Sequence, residues 1–120
     1  MRNSDLLLIH HSASRQHGYP PNSPEAIRVC LEAGARAIEV DISLLADGRF
    51  ALLHGPLLER ETTGSGPVGS HTGEQLRTQR YIWRGEVTAI PVGLLSDAID
   101  LLRQHPHSVE LQLDLKPDVF

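Results

Sequence analysis

Two acidic residues with a single residue between them mark a segment of the sequence that could do chemistry. In the mostly apolar run Ala37–Leu44, Glu39 and Asp41 are separated by a single valine. Successive side chains of a strand point to opposite faces, so both carboxylates lie on one face of a predicted strand. Neighbouring carboxylates repel each other and are costly to desolvate unless a cation or hydrogen-bond donors compensate them. A hard divalent cation would do so, and a solvent-facing strand edge is the alternative.

A second segment near the end of the sequence repeats this design. Glu110–Leu115 alternates leucines with polar residues, and its period of two places Asp114 and Lys116 on the same face. A third carboxylate and an ammonium group therefore end a second predicted strand. The repetition weighs against a merely solvated edge. We expect a divalent ion where Glu39, Asp41 and Asp114 converge.

Histidine is unusually frequent, with seven in 120 residues. His10 and His54 each follow apolar residues at the end of a predicted strand, and in parallel α/β folds ligands bind at the carboxyl edge of the sheet. Either histidine alone would be interpreted as a packed or capped residue. Together with three carboxylates at strand ends, the two predict a site. His105 and His107, between a helix and a strand, are assigned to a solvated loop at the opposite edge.

The elements that must position these side chains alternate along the chain. Strands separated by helices favour a parallel α/β architecture. The Gly- and Thr-rich stretch over residues 62–69 is predicted to be a flexible loop outside the core. The predicted elements are a strand over 6–10, a helix of about ten residues from Pro24, strands Ala37–Leu44 and 50–53 around an Asp47-Gly48 turn, a short helix over 73–80, a helix over 94–102, and a last strand Glu110–Leu115.

Composition fits one soluble domain. The chain has 40% apolar and 22% charged residues and a formal net charge of -4, and its 120 residues exclude two full domains. Its basic residues are scattered singly, so nucleic acid is not an expected partner. Cys30, the only cysteine, is predicted to be a buried small hydrophobe. No transmembrane segment or signal peptide is predicted, and a cytoplasmic location is expected.

Several blocks, in order, resemble the glycerophosphodiester phosphodiesterase family. They cover nearly the whole chain and comprise residues 8–14, 22–26, 25–34, 37–41, 47–48, 54–56, 58–68, 90–91 and 113–116. The resemblance implies a TIM (β/α)₈ barrel of the phospholipase C-like phosphodiesterase type. It also implies cleavage of glycerophosphodiesters to glycerol phosphate and an alcohol, in phospholipid catabolism.

The resemblance further implies roles for individual residues. In this family two histidines act as general acid and base, and acidic residues at strand ends hold a divalent ion, commonly Mg²⁺ or Ca²⁺. Which histidine gives the proton and which takes it stays open. By position the roles fall on His10 and His54 for acid–base catalysis, on Glu39, Asp41 and Asp114 for the metal, and on Lys116 and His11 for the substrate phosphate.

Four positions depart from the family pattern. The family has arginine where this chain has His11, glutamate at Pro21, aspartate at Gly55 and glutamate at Asp114. His11 lacks the permanent charge and the bidentate donors of arginine, which predicts weaker phosphate binding. Pro21 removes a carboxylate from the neighbourhood of the metal.

Length bears on both fold and function. A (β/α)₈ barrel takes about 250 residues, so we expect residues 1–120 to form a single, truncated domain, the N-terminal portion with about three β/α units. Open sheet edges, and Leu113 and Leu115 on an uncovered face, predict self-association. Three functions are compatible: a metal-dependent phosphodiesterase, a catalytically weak or inactive relative that binds metal or phosphate, and a structural or partner-binding module. The third would leave Glu39, Asp41 and Asp114 without a purpose.

Overall fold

A computed structural model describes residues 9–10 and 18–116 of the chain. The remainder of the predicted strand over 6–10 and His11 lie outside the described residues, and of His10 only the backbone is described. The elements are β1 (Ile9–His10), α1 (Pro24–Glu32), β2 (Ala37–Leu44), β3 (Phe50–Ala51), two 3₁₀ helices (Leu58–Arg60 and Val68–Ser70), α2 (Gly73–Arg77), β4 (Arg80–Trp83), β5 (Glu86–Pro91), α3 (Leu95–Gln104) and β6 (Glu110–Leu115).

The strand β2 lies at the centre of the main sheet. It pairs in parallel with β1 on one side and with β6 on the other, and its last residues pair antiparallel with β3. The predicted parallel arrangement is therefore confirmed for β1, β2 and β6. The strand predicted over 50–53 is shorter and ends at Ala51, because Leu52 donates its amide to Gly93 instead of to β2.

The helix α1 begins where its capping residues predict. The Ser23 hydroxyl accepts a hydrogen bond from the Ala26 amide, and Pro24 occupies the first helical position, where its missing N–H costs nothing. One face of the helix is buried and includes Ile27 and Cys30. Cys30 is fully buried, as predicted.

The first hydrophobic core lies between the main sheet and the helices α1 and α3. Ile38, Val40 and Ile42 of β2 point into it, as the strand period predicts, and Ala98 of α3 is buried beside them. Leu111 of β6 packs against the same cluster. The first core is thus formed by side chains on one face of a sheet and on the facing stripes of two helices.

A hairpin that the sequence analysis did not predict follows α2. The helix predicted over 73–80 ends at Arg77, and the chain then forms β4 and β5, joined by Arg84 and Gly85. Both joining residues have positive φ (55° and 79°), as a two-residue hairpin turn requires. The Arg-Gly pair between apolar alternating segments was the available signal.

The prediction that residues 62–69 lie outside the core is wrong for Thr62 and Val68, although Thr63 and Ser65 are exposed as expected. Thr62 and Val68 are buried, and Val68 belongs to a second hydrophobic core with Leu58 and Tyr81. The Thr62 hydroxyl donates to the Leu58 carbonyl and accepts from the Gly64 amide, so its polar group is satisfied inside the protein. These local hydrogen bonds allow the polar Thr62 to be buried.

The outer strand β6 leaves apolar side chains uncovered within the described residues. Leu113 is 48% exposed and Leu115 is 59% exposed, which confirms the expectation that this face is partly open. No helix in the described part of the chain is long and apolar enough to cross a membrane.

Candidate active site

The parallel pairing of β2 with β6 brings two predicted site residues together. Asp41 lies directly opposite Asp114 in the register, and both follow the face of the sheet turned away from the first core. Lys116, just after β6, is held by a hydrogen bond from its amide to the Ile42 carbonyl. Its ammonium nitrogen lies 3.3 Å from Asp41 Oδ1 and 2.8 Å from Asp114 Oδ2.

The Lys116 ammonium therefore compensates two carboxylates. Its hydrogen bond to Asp114, together with the nearby charge of Asp41, raises the pKa of Lys116 above its usual value. The side chain is charged at neutral pH, as lysine ordinarily is. A positive charge thus stands at the carboxyl ends of β2 and β6, where the sequence predicts contact with a phosphate group.

Glu39 lies on the same face of β2 but pairs with Gln112 rather than with a carboxylate. Within residues 9–10 and 18–116, no three histidine, cysteine, aspartate or glutamate side chains form a group that could hold a metal ion. The expected convergence of Glu39 with Asp41 and Asp114 is therefore not found there. Lys116 instead donates a hydrogen bond to Asp114 and forms an ion pair with Asp41.

Asn22 lines the site, although the sequence analysis assigned no role to this residue of the block 22–26. Its side-chain amide donates to Asp41 Oδ2 at 3.1 Å, and its Oδ1 accepts the Asp41 backbone amide at 2.9 Å. Asn22 is buried and has φ 68°, a left-handed conformation that asparagine adopts more readily than most residues. These two bonds orient the Asp41 carboxylate. An asparagine directly before a Ser-Pro helix start was the available signal.

The predicted catalytic residue His54 is exposed and lies three residues after β3. Its Nδ1 is 3.1 Å from the Gly55 carbonyl oxygen. Its backbone amide donates to Glu61 Oε1 at 3.0 Å, and the next amide, of Gly55, donates to Glu61 Oε2 at 2.8 Å. Glu61 was not predicted as a site residue, because its neighbours in sequence form no pattern that points back to His54.

Burial raises the pKa of the Glu61 carboxyl above its usual value, although the two amides act in the opposite direction. The charge of Asp41 adds to the increase. The charge of Asp41 therefore acts on the Glu61 carboxyl.

One cavity of about 400 Å³ joins these groups. Asp41, His54 and Glu61 all line it. The structure therefore brings the predicted catalytic residue His54 and the predicted metal ligand Asp41 to one cavity. Both polar and apolar residues line it. The lining residues are Pro20, Pro21, Asn22, Asp41, His54, Gly55, Arg60, Glu61, Tyr81, Ile82 and Trp83.

Three of the four other histidines named in the sequence analysis are among the described residues. The His10 backbone pairs with Ile38, so β1 runs beside β2, whereas His11 is not among the described residues. His105 and His107 line a separate cavity with Arg36, at the amino-terminal ends of β2 and β6. Their predicted position at the opposite edge from Asp41 is confirmed.

Comparison with known proteins places this arrangement in a family. The model of the glycerophosphoryl diester phosphodiesterase family matches residues 11–120. The chain belongs to this family. It is 32% identical over 104 residues to a glycerophosphodiester phosphodiesterase of Bacillus altitudinis, a match that covers 85% of this chain and 42% of that protein.

Solved structures of glycerophosphodiester phosphodiesterases share the fold. The glycerophosphoryl diester phosphodiesterase of Parabacteroides distasonis matches with a TM-score of 0.76 and 32% identity, over 93% of this chain and 38% of that one. The enzyme of Agrobacterium tumefaciens matches with a TM-score of 0.74 and 27% identity, over 89% of this chain and 45% of that one. The chain thus spans about two fifths of the length of these relatives.

Proposed function

We propose that this chain carries the catalytic groups of a phosphoric diester hydrolase that cleaves glycerophosphodiesters to glycerol phosphate and an alcohol. The observation that carries the proposal is one cavity lined by His54 and Asp41. Lys116 forms ion pairs with Asp41 and with Asp114 beside it. The names of the relatives support the substrate class. In fold terms, we propose that the chain is the N-terminal portion of a TIM barrel with about three β/α units.

Hydrolysis of the diester requires that one proton be removed from the attacking water and one be donated to the leaving alcohol oxygen. Water attacks phosphorus, a new P–O bond forms, and the bond to the alcohol oxygen breaks. One histidine removes a proton from the water and the other protonates the leaving oxygen, and we assign these roles to His10 and His54. The Nδ1 contact of His54 with the Gly55 carbonyl leaves Nε2 to face the substrate in either role.

The charge that develops on the phosphoryl oxygens needs compensation at the carboxyl ends of β2 and β6. Lys116 supplies one positive charge there, and we assign it, with His11, to the substrate phosphate. Carboxylate oxygens are also the ligands that Mg²⁺ and Ca²⁺ prefer. Glu39, Asp41 and Asp114 form no metal-binding group within the described residues, so they would have to move closer together to hold such an ion, which when bound would neutralise phosphoryl charge.

A turnover assay tests the proposal. The chain is incubated with a glycerophosphodiester and Mg²⁺ or Ca²⁺, and released glycerol phosphate is measured. We expect His54→Ala to lower turnover at least about 100-fold. His107→Ala is the matched control, since His107 is another exposed histidine at the opposite end of the sheet. Equal turnover of the two variants would remove His54 from the mechanism.

Ion binding is tested separately by calorimetric titration with Mg²⁺ and Ca²⁺. We expect the double variant Glu39→Ala with Asp41→Ala, and the single variant Asp114→Asn, to bind either ion less tightly than the parent. Glu110→Gln is the matched control, because Glu110 lies on the same strand at its other end. Unchanged affinity in the double variant would place the ion elsewhere.

A second candidate function is a catalytically weak or inactive relative that binds metal or phosphate. The observation that favours it is that Lys116 already bridges Asp41 and Asp114. The departures at His11, Pro21 and Gly55 point the same way. Binding of Mg²⁺, Ca²⁺ or inorganic phosphate without turnover of any glycerophosphodiester would select this candidate.

A further inference from the structure

The backbone that leads into His54 is held by side chains rather than by a strand ladder. The Leu52 carbonyl accepts a hydrogen bond from the buried Tyr81 hydroxyl at 3.0 Å. The Leu53 carbonyl accepts one from the Ser43 hydroxyl at 2.9 Å. The next backbone groups that need hydrogen-bond acceptors are the amide of His54 and the amide of Gly55.

Glu61 provides both partners with one carboxylate. Its Oε1 accepts the His54 amide at 3.0 Å and its Oε2 accepts the Gly55 amide at 2.8 Å. Hydrogen bonds to an ionised acceptor are stronger than those between neutral groups. Because both oxygens are used on consecutive amides, the peptide between His54 and Gly55 is fixed in position and in orientation.

Gly55 links this peptide to the imidazole, because its amide is held by Glu61 and its carbonyl, which belongs to the following peptide, contacts the ring. The Gly55 carbonyl can only accept, so the Nδ1 of His54 that contacts it at 3.1 Å carries the proton. A neutral ring in this tautomer has its lone pair on Nε2. Gly55 has φ 66°, and a Cβ at this position would lie 2.9 Å from Ser43 Oγ, so this position accommodates no side chain.

We propose that Glu61 is a positioning residue that holds the His54 peptide and, through the Gly55 carbonyl, selects the His54 tautomer with its proton on Nδ1. The part of this inference that concerns catalysis rests on the proposed function. The part that concerns the backbone and the tautomer rests on the hydrogen bonds alone.

The test compares Glu61→Gln with Glu59→Gln. Glutamine at position 61 has one acceptor oxygen and so can serve only one of the two amides, while its NH₂ group faces the other. Glu59 is two residues away and exposed, and it accepts a single amide, that of Gly66, at 3.0 Å. Glu59 is therefore matched to Glu61 in charge and in neighbourhood along the chain but not in hydrogen-bond partner. Backbone NMR spectra of both variants establish that each is folded.

Two NMR measurements read the backbone and the ring. Amide hydrogen exchange at His54 and Gly55 should accelerate about tenfold in Glu61→Gln, the usual scale for one lost hydrogen bond, and stay unchanged in Glu59→Gln. Imidazole ¹⁵N shifts at high pH should show Nδ1–H in the parent and a mixture of tautomers in Glu61→Gln. Parent-like exchange, or a parent-like tautomer, in Glu61→Gln would overturn the proposal.

Turnover gives the catalytic readout. We expect Glu61→Gln to lower kcat about tenfold or more with KM unchanged and to alter the pH profile, because the misplaced group acts in the chemical step. A purely structural role would reduce the amount of folded protein and leave the profile unchanged. Parent-like kcat in Glu61→Gln contradicts positioning for catalysis. A parent that turns over no diester refutes the proposed function instead, and the NMR results still decide whether Glu61 positions His54.

Discussion

The two hydrophobic cores of this molecule are held together in different ways. The first core lies under β1, β2 and β6, where backbone ladders and two amphipathic helices set the geometry. The second lies among residues 45–94, where short elements are connected by side chains that bond to the backbone. Tyr81, Thr62 and Glu61 each make such bonds.

The candidate site takes groups from both regions. Asp41, Asp114 and Lys116 come from the ladder-bonded sheet, and their relative position follows from strand register. His54 comes from the region bonded through side chains, and Glu61 fixes its backbone. The difference teaches that the charged half of the site depends on the sheet, whereas the histidine half depends on a few individual side chains.

Truncation of a buried side chain in one core or the other should reduce hydrogen-exchange protection over different parts of the chain. Ile38 and Leu58 are both fully buried, one in each core, and truncation to alanine should lower the free energy of unfolding by about 2–5 kcal/mol in either case. Native-state hydrogen exchange should show that Ile38→Ala weakens protection throughout, because residues 45–94 pack on β2. Leu58→Ala should weaken mainly residues 45–94. Equal loss of protection throughout in both variants would mean that the cores form one cooperative unit.

Removing the Tyr81 hydroxyl should affect the second region without changing its apolar packing. Tyr81→Phe leaves the buried Leu52 carbonyl and the Gly93 amide without this partner, which should lower the free energy of unfolding by about 1–3 kcal/mol in urea titrations. Tyr19→Phe is the matched control, since Tyr19 is 43% exposed. A Tyr81→Phe variant as stable as Tyr19→Phe would show that these bonds contribute nothing net.

The pH dependence of stability should identify Glu61 as a buried acid in the second region. Its folded pKa is raised by burial, so the folded state binds this proton more tightly than the unfolded state does. The stabilisation is present below the usual value of 4.5 and is lost as pH rises through the folded pKa. The free energy of unfolding of the parent, relative to Glu61→Gln, should therefore fall as pH rises above 4.5.

Urea titrations over a pH series measure this difference, and Glu59→Gln controls for the loss of one exposed carboxyl two residues away, within the adjoining 3₁₀ helix. A parent whose stability rises with pH relative to Glu61→Gln would contradict the assigned sign.

The smallest effect on stability is expected on the exposed face of β6. Leu113→Lys should change the free energy of unfolding by less than about 0.5 kcal/mol, because Leu113 is 48% exposed. It should nevertheless reduce self-association, which size-exclusion chromatography of the parent should reveal. Leu111→Lys is the contrasting variant, since Leu111 packs against the first core and its replacement should destabilise the sheet. A monodisperse parent would refute the predicted self-association.

Sequence patterns predicted the regular region well because its interactions are periodic. The period of two in Ala37–Leu44 placed Ile38 and Asp41 on opposite faces, and Ser23-Pro24 predicted the start of α1. The family resemblance, carried by spaced blocks, is confirmed by the match over residues 11–120. These inferences need only local geometry or residue order.

Only the tertiary structure decided how the histidine side of the site is built. The bonds of Glu61 to two amides, of Asn22 to Asp41 and of Tyr81 to Leu52 join residues whose separation in sequence follows no period. The burial of Thr62 depends on local hydrogen bonds that no hydropathy pattern contains. Likewise, the sequence placed Asp41, Asp114 and Lys116 on equivalent strand faces, but the parallel register alone decided that Lys116 would bridge the two aspartates. A backbone ladder repeats and can be read from a pattern, whereas a side chain that bonds to a distant backbone group is specified only once the chain has folded around it.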